Sequence, residues 1–197
     1  MPRYTPGQGN PTVPEGPGST ASGSDAIVLP VTDDAGRAWL EGHLRNMGVA
    51  YELFPCDPAL ADTAAFCAAY GFAPEDSANT IVVIGKSDPP RFAACVTLAP
   101  YRLDVNRAVR DRLGTRKASF APAEETARLT GMQIGGVTVF GLPADLPIWV
   151  DARVMARERI ILGGGSRSWK VISTPDILRA LPRTEIVEGL ATDPRPA

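Results

Sequence analysis

One histidine, His43, and three scattered cysteines, Cys56, Cys67 and Cys95, are the chain's whole supply of imidazoles and thiols in 197 residues. A single imidazole excludes multi-histidine zinc sites and argues against a Ser-His-Asp triad. An odd set of cysteines without a Cys-x-x-Cys spacing reads as reduced, structural thiols in a reducing compartment, not as a disulfide framework. No apolar run approaches the roughly 18–20 residues of a membrane helix. The longest, such as Ile81-Val-Val-Ile84, have the length of strands. A secretory leader would need a basic segment followed by an apolar one, and the N-terminal residues contain neither, so a cytoplasmic protein without membrane contact is expected. The formal charge of −2 argues against strong non-specific binding of nucleic acid, so any such contact should be local.

What the chain does contain suits one folded unit. Its composition is 44% hydrophobic, and a single core commonly serves roughly 100–200 residues. Residues 1–24 hold five prolines and five glycines among Ser, Thr and Gln, with almost nothing to bury. A disordered arm is expected there, followed by one domain over 25–191 and a tail over 192–197.

Thr32 or Asp33 is placed to cap a helix reaching Met47, with Trp39, Leu40, Leu44 and Met47 at helical spacing and Gly48 as the stop. His43 falls on its solvated side. Residues 49–54 alternate as a strand would, and Asp62 can cap an alanine-rich helix over 63–70 that Gly71 ends. Residues 80–85 and 91–98 predict a hairpin. Asp104 opens a helix stopped by Gly114, residues 116–120 form a short strand, and Pro122 starts a helix to about Thr130. Strands are predicted over 147–152, 159–162, 169–172 and 185–187, with a short helix from Thr174 to near Leu181. Helices and strands are interspersed without a regular βαβ rhythm. The fold class is therefore α+β, a curved mixed sheet or open barrel flanked by helices.

The segment Thr130-Gly-Met-Gln-Ile-Gly-Gly-Val-Thr-Val-Phe-Gly141 sets a doubled glycine, Gly135-Gly136, between a helix and a hydrophobic strand. Glycine there permits positive φ and close approach of another molecule to the main chain. The run Gly163-Gly-Gly-Ser-Arg-Ser-Trp-Lys170 is not a phosphate loop, because a strand follows it where a helix N-terminus would be needed. Strand–turn–strand is the simpler reading. Arg102, Arg107, Arg110, Arg112, Arg116 and Lys117 form a basic stretch, either a solvated helix face or a local hold on an RNA backbone.

The order Asp57-Pro58, helix, Thr80-Ile-Val-Val, second strand, helix ending at Gly114, Thr130-Gly…Gly135-Gly136-Val-Thr-x-Phe-Gly141, Gly163-Gly-Gly-x-Arg-x-x-Lys170 resembles the YbaK family. These are aminoacyl-tRNA deacylases related to the editing insertion of bacterial prolyl-tRNA synthetases. The resemblance covers roughly residues 33–190. It implies hydrolysis, in trans, of the ester joining a wrong amino acid to the 3′ end of tRNA, without metal or other cofactor. Backbone positioning and help from the adjacent ribose hydroxyl would supply the rate. On this resemblance Gly135, Gly136 and Asn79 are the candidate catalytic positions, and Thr80, Thr138, Gly164, Gly165, Arg167 and Lys170 the candidate substrate contacts. The partner is the tRNA 3′ end, and an aminoacyl-tRNA synthetase is a further partner the resemblance allows.

The chain also departs from the family's pattern. Asn79 stands where a lysine usually precedes the strand threonine, Val139 where a proline follows the glycines, and Cys56 where a histidine is common. These departures motivate an alternative, a catalytically degenerate module that binds aminoacyl-tRNA 3′ ends or aminoacyl-adenylate-like ligands.

Overall fold

The computed structural model describes residues 33–194, so the expected N-terminal arm, Thr32 and the last three residues of the expected tail lie outside the described residues. The first helix, α1 (Asp34–Leu44), is capped by Asp33, whose Oδ1 accepts from the Gly36 N–H at 2.8 Å. It ends short of Met47, before Gly48 turns the chain at φ 68°. The strand β1 (Tyr51–Pro55) and the helix α2 (Thr63–Tyr70) follow, with Gly71 left-handed at the end of α2. The hairpin is formed as expected: β2 (Ala78–Gly85) and β3 (Arg91–Leu98) pair antiparallel along their whole length.

After β4 (Arg102–Leu103), the segment expected as one helix is wound in two ways. A π-helical turn over Val105–Val109 leads into α3 (Arg110–Leu113), with Asp104 Oδ1 accepting from the Arg107 N–H at 3.1 Å. Then come β5 (Ala118–Phe120), α4 (Ala123–Thr130), β6 (Ile148–Asp151), α5 (Ala152–Met155), β7 (Ile160–Gly163), β8 (Trp169–Ser173), α6 (Asp176–Arg179), β9 (Thr184–Val187) and β10 (Ala191–Thr192).

Three readings change. Residues 137–140 form no strand. Val139 and Phe140 are buried in the core, but the nearby main chain is tied by the Gly165 N–H donating to Gly136 O at 2.8 Å, so the apolar pattern reports burial and not a ladder. The strand expected through Ala152 stops at Asp151, whose Oδ1 accepts from the Arg153 N–H at 3.0 Å and starts α5. Thr192, expected in the tail, belongs to β10, which pairs with β4.

The main sheet has five strands in the order β5-β2-β3-β6-β9, antiparallel from β5 to β3 and parallel from β3 to β9. A second, antiparallel sheet has the order β1-β8-β7. The central strand β3 is buried on both faces. Ala94, Val96 and Leu98 join Leu40, Leu162 and Val171 in the larger core, while Ala93 and Cys95 face Val109 and Leu113. Burial on both faces is why its sequence reads as a continuous apolar run.

Among the described residues the two sheets pack through the larger core but pair along the backbone only at one parallel bridge, Ser77 to Ile161, and do not close into a barrel. This leaves a gap along the outer edge of β2. Ser77 is bridged to β7 and β5 covers Val83 to Gly85, but no strand pairs with the residues between them at that edge.

Candidate functional site

The gap is the mouth of a cavity of about 320 Å³. Its wall on the β2 side carries Asn79, Thr80, Ile81 and Val82; Asp62 and Thr63 come from the start of α2, Phe120 and Ala121 from the end of β5, Ile134 and Gly135 from the glycine loop, and Lys170 from β8. Antiparallel pairing alternates main-chain groups between the two edges of a strand. The Ala121 N–H donates to Val82 O at 2.9 Å on the outer edge, so Thr80, two residues earlier, turns its N–H and C=O the same way, into the gap. The Thr80 hydroxyl is buried without a protein partner. Asn79 Oδ1 accepts from the Thr63 hydroxyl at 2.7 Å, fixing the amide beside it.

Lys170 is the site's buried cation. It is 7% exposed, donates from Nζ to Ala61 O at 2.7 Å and to Gly135 O at 3.5 Å, and lies 5.2 Å over the Phe66 ring. Burial pushes its ammonium below the ordinary lysine value, the nearby Arg167 adds to that push, and the Cys56, Asp62 and Cys67 groups oppose it. Alternation along β8 sends Trp169 and Val171 into the main core and Lys170 to the opposite face. That face is covered by α2, with Phe66 and Ile172 packed there.

The doubled glycine has a definite steric cause. A Cβ on Gly136 would lie 2.6 Å from Ser166 C, and one on Gly135, where φ is 89°, would strike the Arg167 guanidinium. The absent side chains let the loop dock on the turn between β7 and β8 and bring Gly135 to the cavity wall. Arg167 holds the rim. It donates Nε to Pro58 O at 2.8 Å and Nη1 to Ile134 O at 3.0 Å, and sits 3.5 Å from Asp62 Oδ1. Gly164 packs on Trp169, a Cβ on Gly165 would strike Trp39, and Thr138 is wholly buried.

Of the residues singled out from sequence, the cavity thus gathers Asn79, Thr80, Gly135 and Lys170. Gly136, Gly164, Gly165 and Arg167 brace the loops around it, and Thr138 lies in the core. Asp62, Thr63, Phe120 and Ile134 were not singled out. Asp62 looked fully explained as a helix cap, yet its side chain makes no cap hydrogen bond.

Cys56 is buried, and its Sγ donates to Asp57 O at 3.3 Å. Burial pushes its thiol up. His43 is exposed, with Nδ1 2.8 Å from Trp39 O, and lies outside the cavity. Among the described residues, no three His, Cys, Asp or Glu side chains gather as metal donors, and no helix is long and apolar enough to cross a membrane.

The overall fold is shared with known structures. A crystal structure described as that of a candidate trans-editing enzyme for prolyl tRNA synthetase superposes with a TM-score of 0.67 at 22% identity, covering 78% of this chain and 95% of that one. The structure of hypothetical protein APE2540 superposes with a TM-score of 0.69 at 22% identity, covering 78% and 99%. At that identity they establish the shared fold. Residues 57–181 match the aminoacyl-tRNA editing domain family, and the chain belongs to that family.

Proposed function

We propose that the protein is an aminoacyl-tRNA deacylase acting in trans, hydrolysing the ester of mischarged tRNA without a metal. The observation that carries this reading is the cavity at the open edge of β2, where Asn79, Thr80, Gly135 and Lys170 converge in a chain of the editing-domain family. The aminoacyl ester would enter the gap with its carbonyl toward the glycine loop. The Gly135 amide is the candidate donor to the developing oxyanion, a role in which fixed main-chain dipoles are effective because they need no reorganisation. Lys170 would add positive charge at the same wall. Thr80 offers a buried hydroxyl without a protein partner, on a stretch of the outer β2 edge that no strand covers, suited to holding the amino acid or the terminal ribose. Water activation would fall to the adjacent ribose hydroxyl, as the family resemblance implies, and orientation would supply much of the rate.

Incubation with a panel of mischarged tRNAs, Cys-tRNA(Pro) and Ala-tRNA(Pro) among them, is expected to release free amino acid above the spontaneous rate. No turnover with any member would sink the proposal.

One observation favours the second reading, a binding module that has lost hydrolysis. Asn79 is neutral and its carbonyl is already engaged by Thr63. The Asn79→Lys variant separates the two. Hydrolysis that appears only in the variant marks the parent as a degenerate binder, whereas an active parent that the substitution impairs marks asparagine as a working residue.

A further inference from the structure

The strand β5 ends at the cavity and carries charge at its other end. Phe120 and Ile134, each 54% exposed, are large apolar side chains at the cavity mouth. At the start of β5 lies a second cavity of about 350 Å³, lined by Lys86, Arg110, Arg116 and Lys117 and by no carboxylate. Arg110 is paired with Asp111 at 2.6 Å, but Lys86, Arg116 and Lys117 have no carboxylate partner among the described residues. The Lys86 N–H donates to Lys117 O at 2.8 Å, so the β2–β5 ladder sets these cations side by side. Lys117 and Phe120 are three residues apart, roughly 10 Å at strand rise, and alternation sends their side chains to opposite faces of this edge strand, so only a ligand running along the edge itself meets both.

A chain of formal charge −2 has therefore placed three cations without a carboxylate partner among the described residues, Lys86, Arg116 and Lys117, about one strand length from an exposed aromatic ring at the mouth of its cavity. Proteins that hold single-stranded nucleic acid combine these two elements: a cationic groove for phosphates and an aromatic platform for bases.

We infer that the exposed edge of β5 is the track for the single-stranded 3′ end of RNA, with the terminal base stacked on Phe120 beside Ile134 and the preceding phosphates on Lys86, Arg116 and Lys117. This rests on the deacylase reading for the identity of the RNA, but it is tested without hydrolysis. The probe is an uncharged acceptor-stem hairpin RNA ending in CCA, with binding read by fluorescence anisotropy across a salt series.

The combined Lys86→Glu, Arg116→Glu and Lys117→Glu variant is expected to raise Kd at least tenfold and to lower the slope of log Kd against log salt by about 2–3, since each lost phosphate contact removes about one. The milder glutamine versions should move both quantities in the same direction if charge reversal disturbs folding. Phe120→Ala is expected to weaken binding roughly tenfold. It should also abolish the parent's preference for the hairpin over one lacking its terminal adenosine. Unchanged Kd and slope in the charge variants, or no RNA binding by the parent, would overturn the inference. RNA binding that depends on these residues in a protein that releases no amino acid would remove the deacylase reading and leave the track standing. Deacylation with a salt slope indifferent to the three cations would do the reverse.

Discussion

Lys170 lies where its strand pattern alone would not put it. Alternation in Trp169-Lys-Val171 sends the lysine away from the main core, which for a sheet with one wet face means solvent. Here α2 covers that face and turns an outward lysine into a buried one. The consequence is measurable. Below its lowered folded-state pKa, Lys170 is charged in both states and the folded chain bears the burial cost. As pH rises from there toward 10.5, the unfolded chain keeps the proton while the folded chain sheds it, so this residue's contribution to stability rises with pH. Urea unfolding of the parent and of Lys170→Met, from neutral pH up to 10.5, should show the difference moving in the parent's favour. A difference that stays flat with pH would contradict it.

Asp76 runs the opposite way. It accepts from Arg157 Nη2 at 2.6 Å and from Arg159 Nε at 3.1 Å, next to the Ser77 bridge that joins the sheets. Burial alone would raise its carboxyl, but the two guanidiniums overcome that and hold it below the usual 3.8. Its contribution is therefore present above pH 3.8 and lost as pH falls through the lowered value. Asp76→Asn should cost about 2 kcal/mol near neutral pH, less than the ~3–5 of a fully buried pair, because both arginines are partly exposed. Chemical denaturation should show that cost shrinking below pH 3.8.

At the scale of elements, the glycine loop and the turn between β7 and β8 act as one unit. Both stood out in the sequence as glycine-rich, and positive φ at Gly135 and Gly165 fits that reading. What the spacing did not reveal is that the close approach at Gly136 is made by Ser166 of the same chain. Two alanine substitutions separate conformational strain from this contact. Gly131→Ala, at φ 72° with no atom within 4 Å of the new Cβ, should cost only about 1 kcal/mol of left-handed strain. It should leave deacylation within a few-fold of the parent. Gly136→Ala must push the loop off the turn. It should cost about 2–3 kcal/mol, and because Gly135 moves with the loop it should remove most of the activity. Thermal melts and single-turnover deacylation of the two variants test the contrast, and equal effects would refute it.

At the scale of the whole molecule, the five-stranded sheet separates two cores. Trp169 reports on the larger, with α1 and the second sheet, and Trp149 on the one beneath α3. Because β3 belongs to both, the two cores should unfold together. In a Trp39→Phe background, Trp149→Phe and Trp169→Phe should give coincident urea transitions by fluorescence and by circular dichroism once each variant's own stability is allowed for. Distinct transitions within either protein would show that the sheet does not couple them.

The sequence by itself determined the class of the fold, the hairpin of β2 and β3, most helix starts and stops, and the two glycine segments. Those features are written in local chemistry: alternation, caps and positive φ. Only the tertiary structure decided that the sheets meet at Ser77 and Ile161 without closing, and so that an open strand edge exists there. It also decided that residues 137–140 are buried without being a strand, and that Lys170 faces a cavity and not solvent. Each of these depends on which element covers which face, and contacts between residues distant along the chain leave no periodic trace in either segment.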